Sequence, residues 1–215
     1  MSWENFRFAL FEKAPEALLE HSMIVVITIT IAILISVPLG VFLSRPKFKQ
    51  FGLVTLNILN LLQAVPGIAV IALALPILGL GMKPAIVALL FQSLLPIVRN
   101  TIAGLLGVSP DVKEAASGMG MSQQRILLEV EIPLAIPIIL SGVRTATVYV
   151  VSIGTLASLI GAGGLGNLIM GGLALFRPEY LLVGAGLGAL MAISLDRLIN
   201  YLEYRITPPG MRSVS

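Results

Sequence analysis

The chain has 215 residues, of which 57% are hydrophobic and only 12% charged, with a net charge of +3 and a mean hydropathy of +0.98. A soluble domain carries roughly twice that charge, so a soluble enzyme, a disordered tail, a collagen and a disulfide scaffold are all excluded in favour of an integral membrane protein. Cysteine is absent and His21 is the sole histidine, which removes thiolate and multi-histidine metal sites. No GxxxxGK[ST] run exists for a P-loop.

Uncharged runs parse the chain. Residues 1–21 are polar and acidic (Glu4, Glu12, Glu16, Glu20), unlike the positive start of a signal peptide. Residues 22–44 form an uncharged run of about 34 Å as a helix, enough for a ~30 Å hydrocarbon core. Further spans are expected at 53–79, 84–106, 133–160 and 180–201. The runs are apolar on all sides, as in VVITITIAILISVPLG, and lack the alternation of barrel strands. The expectation is an all-α integral membrane protein of about five transmembrane helices, with 1–215 as one transmembrane domain.

Basic residues orient the spans. Arg45, Lys47, Lys49, Arg99, Lys113, Arg125, Arg197, Arg205 and Arg212 fall on one side; Arg7, Lys13, Lys83 and Arg177 fall on the other. The richer side is cytoplasmic, placing the N-terminus outside and the C-terminus inside. The charge excess is thus read as topology, not nucleic-acid binding. The tail 207–215 reads as a frayed end.

Several residues within the spans invite two readings. Gln63, Pro66 and Gly67 interrupt the second span, and Gln92, Ser93 and Pro96 the third. They line a solute path or they kink packed helices. Arg99 and Arg144 must face protein, water or the interface. Each binds a solute carboxylate or snorkels to the cytoplasmic border. Tyr149 offers one ring face to a quaternary ammonium. Gly161, Gly163, Gly164 and Gly166 form a flexible outer-side gate or a plain turn between spans. Their GxGxxG pattern lacks the strand and acidic residue of a dinucleotide site. Gly184, Gly188 and Ala192 form a small-residue packing stripe, and His21 is expected in solvent at the outer border.

The cytoplasmic loop 107–132 carries the strongest signal. In GVSPDVKEAASGMGMSQQRILLEVEIP, Ser109 is an N-cap followed by proline, with Asp111 and Glu114 at the positive helix end. Gly118 and Gly120 break this first short helix. Ser122 caps a second, 123–131, which Pro133 closes at the membrane surface.

This loop resembles the EAA motif of bacterial ABC importer permeases: EAA, three residues, Gly, nine residues, Ile, one residue, Leu-Pro. The match is Glu114, Ala115, Ala116, Gly120, Val130 and Ile132-Pro133, with Val and Ile replacing Ile and Leu. The runs LQAVPGIAVIALALPILGLG, LLPIVRNTIAGL, VEIPLAIPIILSGVRTATVYVVSIGTLASLIGAGGLGNLI and FRPEYLLVGA extend the likeness over nearly the whole chain. They are similar to permeases for the quaternary-amine osmoprotectants glycine betaine, carnitine and choline. The resemblance implies a type I ABC importer permease in the bacterial cytoplasmic membrane. It implies a second permease chain, identical or similar, two ATPase subunits on the EAA loops carrying ATP and Mg, and an extracytoplasmic binding protein. A tight aromatic cage is then expected on that binding protein.

Two other function classes compete. Ion-coupled carriers place acidic or histidine residues in their spans, but residues 22–110 hold no acid and Asp196 is the one candidate later. Sodium sites of backbone oxygen stay open for that class. A membrane enzyme lacks a catalytic constellation. Within the importer class, another small solute such as an amino acid remains the alternative.

Overall fold

A computed structural model describes residues 2–207; the stretch 208–215, most of the tail read as frayed, lies outside the described residues. The described chain is helical, with no strand among its residues. Eight helical stretches follow in order: α1 Trp3–Leu43, α2 Lys49–Ala64, α3 Gly67–Leu78, α4 Met82–Leu106, α5 Pro110–Gly118, α6 Gln123–Ile160, α7 Leu165–Ala174 and α8 Pro178–Ile206. Four are long and apolar enough to cross a membrane, and five crossings result if α2 and α3 count as one bent span.

The first helix is longer than its uncharged run. It spans 41 residues, roughly 60 Å at 1.5 Å per residue. A π-helical turn at Ala9–Lys13 lies within it. Its charged first half is helical because Ala9, Ala14 and Ala17 form an inward stripe against Leu165, Leu168 and Val183. The second span bends by 94° between α2 and α3, at the Val65-Pro66 step where proline excludes helical backbone from its predecessor.

The third span has no such break. Gln92, Ser93 and Pro96 lie within the continuous helix α4, which corrects the interruption expected there. Ser93 Oγ donates to Leu90 O at 2.8 Å, and Gln92 Nε2 reaches across to Val65 O at 3.1 Å. The polar groups therefore serve the backbone of α4 and of the neighbouring bend, and the tertiary contacts of α4 carry Pro96.

Helix α4 lies at the centre. It is the most enclosed of the long helices, and α8 the least. Its neighbours approach through glycine. A Cβ on Gly40 of α1 would lie 2.6 Å from Thr101 Cβ, and one on Gly142 of α6 would lie 2.7 Å from Pro96 O. Such small-residue contacts draw helices together where lipid supplies no hydrophobic drive. Thr101 and Thr147 hydroxyls donate to the carbonyls of Ile97 and Val143 one turn back, so they need no water. Leu34, Leu61 and Ile77 point outward, as a lipid-facing surface requires.

Candidate functional site

Three regions hold the residues singled out by sequence. The first is the loop between α4 and α6. Ser109 Oγ accepts from Asp111 N–H at 3.2 Å, starting α5 as its Ser-Pro signal predicts. At the other end Gly120 has φ +80°, the left-handed conformation that favours glycine. Its N–H donates to Ser117 O, and Met121 N–H to Ala116 O, closing the carbonyls of the last turn. Ser122 then caps α6, accepting from Arg125 N–H at 3.4 Å.

Glu114, Ala115, Met119 and Gly120 are exposed. Ala116 is buried against the chain's own body, so it anchors the loop helix and is not free for a partner. Adjacent residues of a helix point in different directions, so Ala116 faces away from exposed Glu114 and Ala115. Ile132 and Pro133 are half-buried where the loop enters the bundle.

Pro133 does not close a helix there. The helical stretch runs unbroken from Gln123 to Ile160. A π-helical turn at Leu127–Glu131 precedes the proline, with Ile132 N–H donating to Leu127 O. This wider turn makes room for a ring that would otherwise press on a carbonyl four residues back. At its end Glu131, 5% exposed, contacts Arg45 Nη2 at 2.6 Å and Lys113 Nζ at 3.5 Å. Sequence reading missed this carboxylate, because its partners lie on two other elements.

The second region is a polar groove between α6 and α8. Ser141, Arg144, Thr145, Val148, Tyr149 and Asp196 line a cavity of about 340 Å³. Arg144 is paired within the protein. Its guanidinium grips Asp196 with two bonds, Nε to Oδ1 at 2.8 Å and Nη2 to Oδ2 at 3.2 Å. Nη1 donates to Asn200 Oδ1 at 3.3 Å and lies 3.8 Å from Glu203 Oε2. The two-pronged geometry is the strong form of an ion pair, and a third of each side chain stays open to the groove. Tyr149 is exposed beside it. Arg99 is apart from this groove, donating to Asn60 Oδ1 at 2.8 Å. Gln63 and Pro66 sit at the α2–α3 bend, and buried Gln92 staples it.

The third region is the glycine turn between α6 and α7. Gly161, Gly163 and Gly164 all have positive φ, from 74° to 83°. Gly163, Gly164 and Gly166 are buried; Gly161 is exposed. The turn leads into α7, a short helix that the uncharged-run reading did not separate. Glu20 Oε2 accepts the Gly164 N–H at 2.7 Å. His21, expected in solvent, is fully buried, with Nε2 3.0 Å from Val151 O. The reason is steric: glycines at 154 and 164 leave room for its ring. Gly184 of the small-residue stripe packs on Leu168 and Ile169. Gly188 and Ala192 line a cleft beside α7. Among the described residues no group of three or more His, Asp or Glu could hold a metal ion.

Comparison with known proteins places this architecture. Residues 36–208 match the family of binding-protein-dependent transport system inner membrane components. The chain is 45% identical over 195 residues to the glycine betaine/carnitine/choline transport system permease protein OpuCB of Bacillus subtilis, covering 91% of this chain and 89% of that one. It is 44% identical to the choline transport system permease protein OpuBB of the same organism, over 90% and 88% of the two chains. It is 45% identical to the osmoprotectant import permease protein OsmY of Salmonella typhimurium, over 87% and 80%. In fold, it is similar to an inward-facing structure of the MetNI methionine ABC transporter, with a TM-score of 0.83 at 20% identity over 97% of this chain and all of that one. An amino acid ABC transporter crystallised with histidines gives a TM-score of 0.72 at 21% identity, over 88% and 92%. The chain thus belongs to the binding-protein-dependent transport system inner membrane components, and it is a multi-pass permease with the type I ABC importer fold.

Proposed function

We propose that this permease forms the membrane path by which an ATP-driven importer takes up a small quaternary amine or betaine, such as glycine betaine, carnitine or choline. The observation that carries the solute class is the 45% identity, over nine-tenths of the chain, to a permease named for those three solutes. The likeness to methionine and amino acid transporters concerns the fold alone. In this reading the exposed loop face of Glu114, Ala115 and Gly120 receives an ATPase subunit, with Ile132 and Pro133 at the entry to the membrane. ATP and Mg stay on that subunit. A second permease chain, identical or similar, completes the path, and an extracytoplasmic binding protein delivers the solute. The loop side is cytoplasmic and the N-terminus outside, in agreement with the distribution of Lys and Arg.

The groove of Arg144, Tyr149 and Asp196 suits a path for a zwitterion. It offers a carboxylate and a ring face to a fixed cation and a guanidinium to a carboxylate. Gln63, Pro66 and Gln92 shape the α2–α3 bend, and the glycines at 161, 163, 164 and 166 serve as an outer gate. An ion-coupled carrier gains no support: Asp196, the acid such a carrier would use, is held by Arg144.

The test is uptake of labelled glycine betaine by cells expressing the complete importer. Choline and carnitine should compete with it, and uptake should need the ATPase. Competition by an amino acid alone would overturn the solute class while leaving the family untouched.

A further inference from the structure

Glu131 occupies an unusual position for a carboxylate. It ends the π-helical turn that joins the loop part of α6 to its membrane-crossing part, and it is 5% exposed. Burying a carboxylate is costly unless cations and hydrogen bonds compensate. Two cations converge on it from different elements. Arg45, in the turn after α1, brings Nη2 to 2.6 Å of Oε2. Lys113, on the loop helix α5, brings Nζ to 3.5 Å of Oε1.

Each cation is tied further. Lys113 Nζ donates to Leu105 O in the last turn of α4 at 3.3 Å. Arg45 Nε and Nη2 donate to Ser44 Oγ at 3.1 and 3.0 Å, and Ser44 Oγ donates to Val41 O at 2.7 Å. A single carboxylate thereby links the loop helix to the ends of α1 and α4 and to the start of α6. The loop has other supports of its own. Ser109 and Ser122 cap the two loop helices, and buried Ala116 seats α5.

We propose that Glu131 is a positioning residue of the transport cycle: it passes displacement of the loop helix α5 to the membrane helices α1 and α6. A π turn beside it suits this role, because such turns sit at functional positions of helices and can shift register locally. A charged centre with partners on separate bodies moves those bodies together. The proposal rests on the reading of loop 107–132 as the ATPase-docking loop.

The test uses the assembled importer, reconstituted with its ATPase and binding protein, and reads three quantities: retained ATPase, ATP hydrolysis and betaine uptake. Glu131→Gln preserves size and removes the charge. Arg45→Gln removes the closer cation from a side chain that is a third exposed. It carries the test if Glu131→Gln fails to assemble. Arg45→Lys keeps the charge. Both Gln variants should retain the ATPase and hydrolyse ATP, yet consume about tenfold more ATP per solute moved, within the usual range of coupling between sites. Arg45→Lys should stay near the wild-type ratio. Uptake near wild type in the Gln variants, uptake and hydrolysis falling in proportion, or loss of ATPase from the assembled Glu131→Gln importer would each overturn the proposal. Gly120→Val is the control for docking. If it keeps both ATPase and uptake, the docking-loop reading fails, whatever the ratio measured for Glu131→Gln.

Discussion

Gly142 sits where α6 crosses α4, in the most extensive helix contact among the described residues. Its backbone is helical, so adding a side chain brings no φ strain. Space is the obstacle. A Cβ there would lie 2.7 Å from both Pro96 O and Asn100 Cβ. Neither atom is the far end of a flexible side chain, and Pro96 O also accepts from Asn100 Nδ2 at 2.8 Å. The helices must therefore separate. Overpacking of this kind costs about 1–3 kcal/mol, and the better helix propensity of alanine offsets up to about 1 kcal/mol of it. Gly142→Ala should thus lose up to about 3 kcal/mol, or up to roughly 12 °C of Tm for a chain of this length. Gly171→Ala is the matched control. No atom lies within 4 Å of its added Cβ, so its Tm should hold or rise. Thermal unfolding of both variants in one detergent decides the matter. A Gly142→Ala protein melting at or above the Gly171→Ala protein would refute the close-approach argument.

Two further outcomes follow from the charges. Arg144→Ala and Asp196→Ala should each destabilise the detergent-solubilised chain by about 1–3 kcal/mol, because each strands a partly enclosed partner. The double variant should lose about 1–2 kcal/mol less than the sum, and strictly additive losses would show that the pair does not act as a unit. Cysteines placed at Ser2 and Ser213, in a chain that has no others, should react with impermeant reagents from opposite sides of the membrane. Labelling from one side would overturn an odd number of crossings.

What sequence reading captured was local or imposed by the solvent. Hydrocarbon demands long apolar helices, so α4 and the membrane-crossing parts of α1, α6 and α8 stand out as runs with few charges. Ser109-Pro110 and Ser122 mark helix starts through contacts two or three residues away. The Val65-Pro66 break shows itself in the same way. Proline was the weak signal elsewhere. Pro96 and Pro133 reside in continuous helices, one carried by packing on every side and one by a π turn, and neither remedy is visible in a short window. The helical character of residues 3–21 was hidden because its apolar stripe is alanine, paired with residues 165–183. The same distance concealed the site chemistry. Arg144 finds Asp196 52 positions on, His21 finds Val151 130 positions on, and Glu20 finds Gly164 144 positions on.

Those separations set an order of assembly. Ser2 N–H donates to Glu179 Oε1, Glu20 accepts from Gly164, and Ala9, Ala14 and Ala17 pack on Leu165, Leu168 and Val183. All of these partners emerge from the ribosome well over a hundred residues after the groups that meet them. At about 5–20 residues per second, Glu20 waits roughly 7–30 s for Gly164 to be synthesised. Through that interval the first helix can dock its later half on α4 while its alanine stripe, Glu20 and the imidazole of His21 stay unmatched. Residues 2–21 are consequently among the last to acquire their native neighbours, and arrival of α7 and α8 completes those contacts in one step.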